Sequence, residues 1–319
     1  MIPAPDALIV PAQDLFDTEA LRASLTAEIG GETAEAKVRA VVVPLLKTAR
    51  TRGRDAIAKA LETQPFASRE ATRAYSWLTD QILHVVFAAA TGVMHPPEKP
   101  SEADRLSVMA VGGYGRGEMA PFSDVDLLFL TGRTASPWAE RVIESILYIL
   151  WDLKLKVGHA TRTVRDCLRL GAEDFTIRTA MLESRFITGD PALAQDFETR
   201  LQNELFKGSE RAFIAAKLDE RDLRHEKQGQ RYMVEPNIKE GKGGLRDLQS
   251  LFWITKYVHL TDDVSQLVAK GVFRPEEDET FRQADRFLWA VRCHLHLSAN
   301  RAVEQLTFDT QVEVAERMG

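Results

Sequence analysis

The sequence predicts an α+β protein, with a small mixed sheet between two helical segments. Two apolar runs, 105–111 and 124–130, have the length and the residue types of strands, and a third, 154–163, follows one helix later. Before and after this stretch, apolar residues recur at spacings of three and four, the period of amphipathic helices. Three regions are therefore expected: an N-terminal helical region over 1–95, an α/β domain over 96–190 and a C-terminal helical bundle over 191–319.

The helices expected before the sheet follow a stripe of valines and leucines. The spacing predicts one helix over 32–61, broken at Gly53, and a second over 68–91. The prolines and charges of 95–104 are typical of a linker. After about residue 165 the helical period returns. Helices are predicted there at three places: over 210–228, around Leu245–Thr255 and around Phe281–Leu295.

A glycine-rich turn joins the first two predicted strands. Gly112 and Gly113 follow the first strand, and a short helix is expected before the second. Ser136 and Pro137 have the pattern of an N-cap and a first-turn proline. We therefore expect a helix from this point up to the third strand.

Composition and charge narrow the class of protein. The chain has 319 residues, 45% of them hydrophobic and 28% charged, as in soluble globular proteins. Its net charge of −6 argues against a general nucleic-acid or anionic-membrane surface, so neither partner is expected. Cys167 and Cys293 lack metal-ligand or redox spacing, which predicts buried thiols in a reducing cytoplasm. Neither a signal peptide nor an apolar run of transmembrane length is expected.

Two acids at the start of the second predicted strand carry the most specific chemistry. Asp124 and Asp126 are two residues apart, so on a strand they project from one face while Val125 projects from the other. Paired carboxylates repel each other, and bound cations relieve that repulsion. Mg²⁺ takes a few carboxylates and completes its shell with water and phosphate oxygens. The pair therefore predicts a site for two Mg²⁺ ions, or for Mn²⁺ in their place.

The glycines and two polar side chains fit a triphosphate bound to such metals. Gly112 and Gly113 let the backbone approach a phosphate and present amide groups to it. Ser123 can donate a hydrogen bond to a terminal phosphate, and Arg116 can neutralise one. Taken alone, a Gly-Gly pair is usually a turn, and an Asp-x-Asp pair is usually solvated. Together they predict a nucleoside triphosphate site, and it is not a P-loop because no Gly-Lys-Ser/Thr ends the turn.

This spacing resembles that of the polymerase-β-like nucleotidyltransferase superfamily, in which Gly-Gly or Gly-Ser precedes an Asp-x-Asp strand by about ten residues. The fuller pattern GGYGRGE…SDVDLL is similar to the bacterial PII uridylyltransferase family. EPNIKEGKGGLRDLQ, within 235–254, is similar to a narrower group that includes the adenylyltransferase of glutamine synthetase. Further similar stretches lie at 150–163, 185–190 and 287–297.

The resemblance implies a bacterial, cytoplasmic enzyme of nitrogen regulation. It would transfer UMP from UTP to a tyrosine of the PII nitrogen-regulatory protein and release pyrophosphate. In the matching motif Asp124 and Asp126 hold the metals, while Gly112, Gly113 and Ser123 hold the phosphates. The family normally also carries an HD-type phosphohydrolase domain and ACT domains, and neither is expected in this chain.

A second glycine pair lies among basic residues. Lys239, Lys242 and Arg246 surround Gly243–Gly244 at the start of a predicted helix, a pattern that suits an anion at a helix N-terminus. We expect Lys242 and Arg246 to contact the triphosphate. The alternative is a tight turn between domains, with Arg246 paired to Asp247 or Glu240.

The chain departs from the superfamily pattern on the third strand, where relatives often carry a third carboxylate. Gly158 falls at about that position, and neighbouring His159 is expected on the other face. Glu183, from a later helix, is the acid that could replace it. An acceptor tyrosine, with its pKa near 10, needs less help from a base than an aliphatic hydroxyl.

Three functions remain open at this stage. The first is uridylyl transfer to PII, and the second is adenylyl transfer to another protein acceptor. The third is a non-catalytic regulatory module that binds Mg-nucleotide. The paired acids argue against the third, because a binding module has no need of two metal ligands.

Overall fold

The computed structural model describes residues 7–97, 101–227, 233–260, 268–269 and 271–319. The strands are β1 Leu106–Ala110, β2 Val125–Thr131, β3 Val157–Thr163 and β4 Arg185–Gly189. The helices are α1 Ala12–Leu15, α2 Thr18–Ile29, α3 Glu35–Thr63, α4 Ser68–Ala89, α5 Gly112–Gly115, α6 Pro137–Asp152, α7 Val164–Glu173, α8 Phe175–Leu182, α9 Pro191–Arg200, α10 Glu210–Lys227, α11 Leu245–His259, α12 Pro275–Ala299 and α13 Phe308–Met318.

The four strands form one mixed sheet in the order β3-β2-β1-β4. β2 and β3 are parallel, whereas β1 is antiparallel to both of its neighbours. Every residue of β1 is buried, as is usual for a central strand covered on both faces. The predicted α+β class with a mixed sheet is therefore confirmed, and the three predicted strands match β1, β2 and β3 to within three residues at each end.

Two expectations about secondary structure are wrong. Strand β4 falls where only helices were expected, because its five residues, RFITG, are too few to establish an alternating pattern. Helix α3 also continues through Gly53 without a break. A Cβ at Gly53 would lie 2.5 Å from the carbonyl oxygen of Leu15. The glycine therefore permits close packing, and the surrounding helix outweighs its low helix propensity.

The chain divides into two compact units. The first comprises the described residues of 7–59, 70–119 and 123–202, and the second those of 60–69, 120–122 and 203–319. The predicted division into three regions stays a prediction.

The first unit is built on the sheet. Helix α6 starts as expected, with the Ser136 hydroxyl accepting a hydrogen bond from the Ala139 amide and Pro137 in the first turn. Its buried face, which includes Val142 and Ile146, packs on β3, while α9 packs on β1, β2 and β4. This packing fixes β2, the strand that begins just after Asp124.

The second unit is helical. Helices α10 and α11 pack together, as do α12 and α13. The rings of Phe213 and Tyr257 stack 3.9 Å apart between α10 and α11. A smaller cluster of Ile238, Val291, Leu295 and Val314 holds the segment before α11 against α12 and α13.

Within the part of the chain that the structure describes, one helical stretch, Ser68–Met94, is long and apolar enough to cross a membrane by length and composition. The expectation that no run reaches that length is therefore wrong. In its most apolar window 67% of the residues are buried inside the protein, as in the core helix of a globular protein. Both cysteines are buried as expected, and burial raises the pKa of each thiol to about 12.

Candidate active site

The two acids of the Asp-x-Asp pair lie on one face at the start of β2. Asp124 and Asp126 are exposed, whereas Val125 between them is fully buried. The alternation that the sequence predicted is therefore present. With Val125 anchored in the core, both carboxylates project from the protein on the same side of the strand.

The glycine turn lies directly beside Asp126. The Val111 amide donates a hydrogen bond to the Asp126 carbonyl oxygen at 3.0 Å, which ties the end of β1 to the start of β2. Gly112 follows with φ +59°, a left-handed conformation that glycine adopts without strain. A Cβ there would lie 3.6 Å from Oδ2 of Asp126. The structure thus places Gly112 beside Asp126, while Gly113 lies against Glu118 and Arg116. The role of these residues in binding phosphate stays a prediction.

Gly158 occupies the position on β3 at which relatives often carry a third carboxylate. It is the direct neighbour of Asp126 in the parallel β2–β3 pairing. A Cβ on Gly158 would collide with Oδ1 of Asp126 in its present position, so the two residues share a face and a side chain at Gly158 would require the Asp126 carboxylate to turn aside. The ring of His159 lies 6.3 Å from that of Trp151 on α6, on the opposite face of the strand. Neither residue supplies a third acid.

Glu183 and Arg116 pair with each other. Glu183 ends α8 with only 2% of its side chain exposed, and it accepts a hydrogen bond from the Arg116 guanidinium. Glu118 accepts a second bond from Arg116 at 3.0 Å. Burial alone would lower the pKa of Arg116, but the Glu183 and Glu118 carboxylates outweigh it and hold the pKa above its ordinary value. The guanidinium is thus charged and already held by two acids, so its predicted contact with phosphate stays a prediction.

A buried hydrogen-bond network, which the sequence did not predict, fixes the helical turn that contains the glycines. The Tyr114 hydroxyl donates to Asp80 of α4 at 2.6 Å, and burial and this carboxylate raise the pKa of Tyr114 well above its ordinary value. Arg185 of β4 donates to Asp80 at 2.8 and 3.1 Å and to the carbonyl oxygens of Tyr114 and Gly115 at 3.3 Å. The one available signal was an aspartate within the apolar stretch at the centre of α4.

The second glycine pair lies in a tightly bonded loop of the second unit. The Asn237 side chain accepts hydrogen bonds from the amides of Lys239 and Glu240. The first amides of α11 also have acceptors: Leu245 donates to the Ile238 carbonyl, Arg246 to that of Lys239 and Asp247 to that of Gly244. These amides are therefore not free to bind an anion, although the sequence suggests an anion site at this helix N-terminus. An anion here would be bound by side chains.

Arg246 and Lys242 differ in their surroundings. The Arg246 guanidinium donates to Glu240 at 3.1 Å and to Gln249 at 2.9 Å, and it lies over the Trp253 ring. The sequence alternative of a pair with Glu240 is thus confirmed, while Asp247 binds other groups. Lys242 is exposed. The contact of either residue with a triphosphate stays a prediction.

The donor set at β2 fits hard divalent cations. Within the described part of the chain, no three His, Cys, Asp or Glu side chains are gathered as a metal-binding group. Two exposed carboxylates beside glycine backbone suit an ion that completes its shell with water and substrate phosphate oxygens. Asp124 and Asp126 therefore fit Mg²⁺ held jointly by protein and nucleotide better than a closed protein cage.

Comparison with known proteins agrees with this geometry. Residues 98–185 match the nucleotidyltransferase domain model, and residues 212–319 match the GlnD PII-uridylyltransferase model. A bifunctional uridylyltransferase/uridylyl-removing enzyme of Ruegeria pomeroyi is 58% identical over 96% of the chain and 34% of its own length. The proteins of that name from Cereibacter sphaeroides and Novosphingobium aromaticivorans are 54% and 49% identical over 98% and 88% of the chain.

The chain is therefore similar to PII uridylyltransferases along nearly its whole length. It spans about one third of the length of the curated relatives that it matches. The nucleotidyltransferase match includes the glycine turn, both aspartates and Gly158, and it ends at Arg185, which bonds Asp80. The uridylyltransferase match includes the loop with Lys242 and Arg246. Nucleotidyltransferases generally act with divalent metal ions, which agrees with the donor set.

Proposed function

We propose that this chain transfers UMP from UTP to a tyrosine of the PII signal protein and releases pyrophosphate, in the cytoplasm of a bacterium. The observation that carries the proposal is the placement of Gly112 beside the exposed Asp126 at the start of β2, within the region that matches a nucleotidyltransferase domain. The choice of UTP and PII rests on relatives whose printed name is uridylyltransferase. Those relatives are about three times longer, so their activity supports the proposal without deciding it.

Each site residue would have the role that its chemistry suits. Asp124 and Asp126 would hold two Mg²⁺ ions, or Mn²⁺ in their place. Such ions stabilise the negative charge on attacking and leaving oxygens during in-line phosphoryl transfer. The amides of Gly112 and Gly113 and the Ser123 hydroxyl would bind the phosphates, with Lys242 and Arg246 as further cationic contacts. Arg116, held by Glu118 and Glu183, would act on phosphate only as part of that cluster.

The missing third acid fits a phenolic acceptor. Gly158 supplies no carboxylate beside Asp126, and Glu183 is committed to Arg116. A tyrosine, with its pKa near 10, loses its proton more readily than a serine or sugar hydroxyl. The rate should therefore rise with pH as the acceptor tyrosine ionises, and little help from a protein base is needed.

Label transfer tests the proposal. The purified chain is incubated with PII, Mg²⁺ and either α-labelled UTP or α-labelled ATP, and pyrophosphate is measured in parallel. Label on PII from UTP, with equal release of pyrophosphate, is expected. Label from ATP instead would favour the adenylyltransferase alternative. Nucleotide binding without pyrophosphate release would favour the non-catalytic regulatory module.

A further inference from the structure

A cavity lies in the first unit, at the opposite end of β2 from the aspartates. Its volume is about 900 Å³, a size typical of small-molecule sites. Thr131, the last residue of β2, lines it, while Asp126 lies five residues earlier on the same strand. At about 3.3 Å per residue the two ends are roughly 17 Å apart. The cavity is therefore separate from the candidate active site.

Arginines from four different elements line this cavity. Arg105 precedes β1, Arg133 follows β2, Arg165 lies in the first turn of α7 and Arg200 ends α9. Two acids, Glu102 and Asp196, also line it, so the arginines are in excess by two. The arginine fork matches the oxygens of phosphate and carboxylate groups, which makes an anion the natural ligand.

Two of the four arginines remain available to a ligand. Arg105 is committed, since it donates to Asp190 at 2.5 Å and lies 3.6 Å from Glu102. Arg133 and Arg165 are exposed, and among the described residues neither guanidinium forms a hydrogen bond or a salt bridge. Arg165 interacts electrostatically with Asp166, whose carboxylate accepts from the Thr163 hydroxyl, so both guanidiniums keep their donors for an anion.

The rest of the lining favours a tetrahedral oxyanion with an organic body. Thr131 and Thr134 bring hydroxyl groups, and Val164 and Leu193 bring a buried apolar surface. The Thr163 hydroxyl caps α7 and already donates to Asp166 at 2.7 Å. Donors that approach from several elements suit a phosphate, which accepts in many directions, better than a planar carboxylate. The remaining volume leaves room for the body of a small metabolite.

We propose that this cavity binds a small phosphorylated molecule through Arg133 and Arg165. The site lies in the same unit as the candidate active site, and β2 joins the two. Its existence does not depend on the proposed transferase activity, because neither aspartate contributes to it.

Ligand-dependent stability tests the site. The chain is unfolded thermally in EDTA at constant ionic strength, with increasing inorganic phosphate, ribose 5-phosphate or succinate. A ligand that binds the native state raises the unfolding midpoint, and the rise yields an apparent dissociation constant. We expect both phosphates to bind, ribose 5-phosphate more tightly, and succinate to bind less tightly than either.

Three variants locate the effect. Arg133→Ala and Arg165→Ala should each weaken phosphate binding by about tenfold, the loss expected for one charge-assisted hydrogen bond. Arg169→Ala is the matched control, because Arg169 is exposed on the same helix and pairs with Glu173 outside the cavity. Equal binding in parent and both arginine variants, equal loss in the Arg169 control, or tighter binding of succinate would overturn the proposal.

Discussion

Two glycine pairs in this molecule look alike in sequence and differ in what surrounds them. Gly112–Gly113 begins helix α5 and Gly243–Gly244 directly precedes α11, and each pair has a basic residue nearby. At the first pair, α5 starts without a side-chain cap, and the exposed Asp126 carboxylate lies beside it. At the second pair, amides of α11 donate to loop carbonyls, and Asp247 accepts from the Gly243 amide at 2.7 Å.

The difference shows what a glycine pair alone establishes. Glycine permits a close approach or a left-handed turn, but it does not decide which group approaches. At Gly112 the neighbour is a carboxylate on an exposed strand end. At Gly244 the neighbours are backbone carbonyls, among them that of Ile238, at 2.8 Å from where a Cβ would lie. We therefore expect acids in the first region to control activity and the acid in the second to control stability.

The largest effect is expected at Asp126. Asp126→Asn, like Asp124→Asn, removes a charge that the metals need, so transfer of label to PII should fall by several orders of magnitude. Repulsion between the two carboxylates also falls, so thermal unfolding without metal should be unchanged or slightly raised. A variant that folds normally and retains near-parent turnover would contradict the assignment of Asp124 and Asp126 as metal ligands.

Asp247→Asn is the matched change in the second region. Asp247 binds the Gly243 amide, Arg224 and His225, so its loss should cost about 1–3 kcal/mol of unfolding free energy and leave kcat near the parent value. Burial opposes ionisation of Asp247, but the Gly243 amide, His225 and Arg224 together lower its pKa. Its stabilisation is thus complete above the unfolded pKa near 3.9 and disappears as pH falls through the lower folded value. The unfolding free energies of parent and variant should therefore converge at acidic pH. A difference that stays constant down to pH 2 would contradict this.

Gly158→Ala should give the next largest effect. The new Cβ would collide with Oδ1 of Asp126, so the carboxylate must turn away from its position. Misplacement by about 1 Å can cost a hundredfold, so we expect kcat to fall ten- to a hundredfold. His159→Ala is the control, since its ring lies beside Trp151 on the other face. Similar losses in the two variants would mean that β3 itself, and not Asp126, had been disturbed.

The sequence predicts which segments are strands β1 to β3 and that Asp126 lies on an exposed face. Both predictions depend only on the local pattern of apolar and polar residues. The resemblance to nucleotidyltransferases places Gly158 about where relatives carry a third acid, and the structure pairs Gly158 with Asp126. The sequence does not predict the network of Asp80, Tyr114 and Arg185, whose members are up to 105 residues apart and meet only through tertiary packing. For the same reason it leaves open which acid Arg246 contacts, and the fold selects Glu240.

Lys242→Ala should produce a moderate effect if the second loop lends charge to the triphosphate. Lys242 is exposed, and loss of its contact should raise the KM for UTP about tenfold without a change in stability. Arg246→Ala should raise KM similarly and also lower the unfolding midpoint, because Glu240, Gln249 and Trp253 lose a partner. Parent-like kinetics in both variants, with destabilisation only in the second, would leave the loop with a structural role alone.

The smallest catalytic effect is expected at Glu183. Although it is an acid near the glycine turn, its carboxylate binds Arg116 and only 2% of its side chain is exposed. Glu183→Gln retains an oxygen that can accept from Arg116 and leaves Glu118 to balance the charge. It should therefore lower the unfolding midpoint and reduce kcat by less than tenfold, and the rise of rate with pH should persist. Arg116→Lys should have the same pattern, because it weakens the same pair from the other side. If Glu183→Gln were as inactive as Asp126→Asn and equally well folded, the third carboxylate would have been relocated to α8, and Gly158 would not mark its loss.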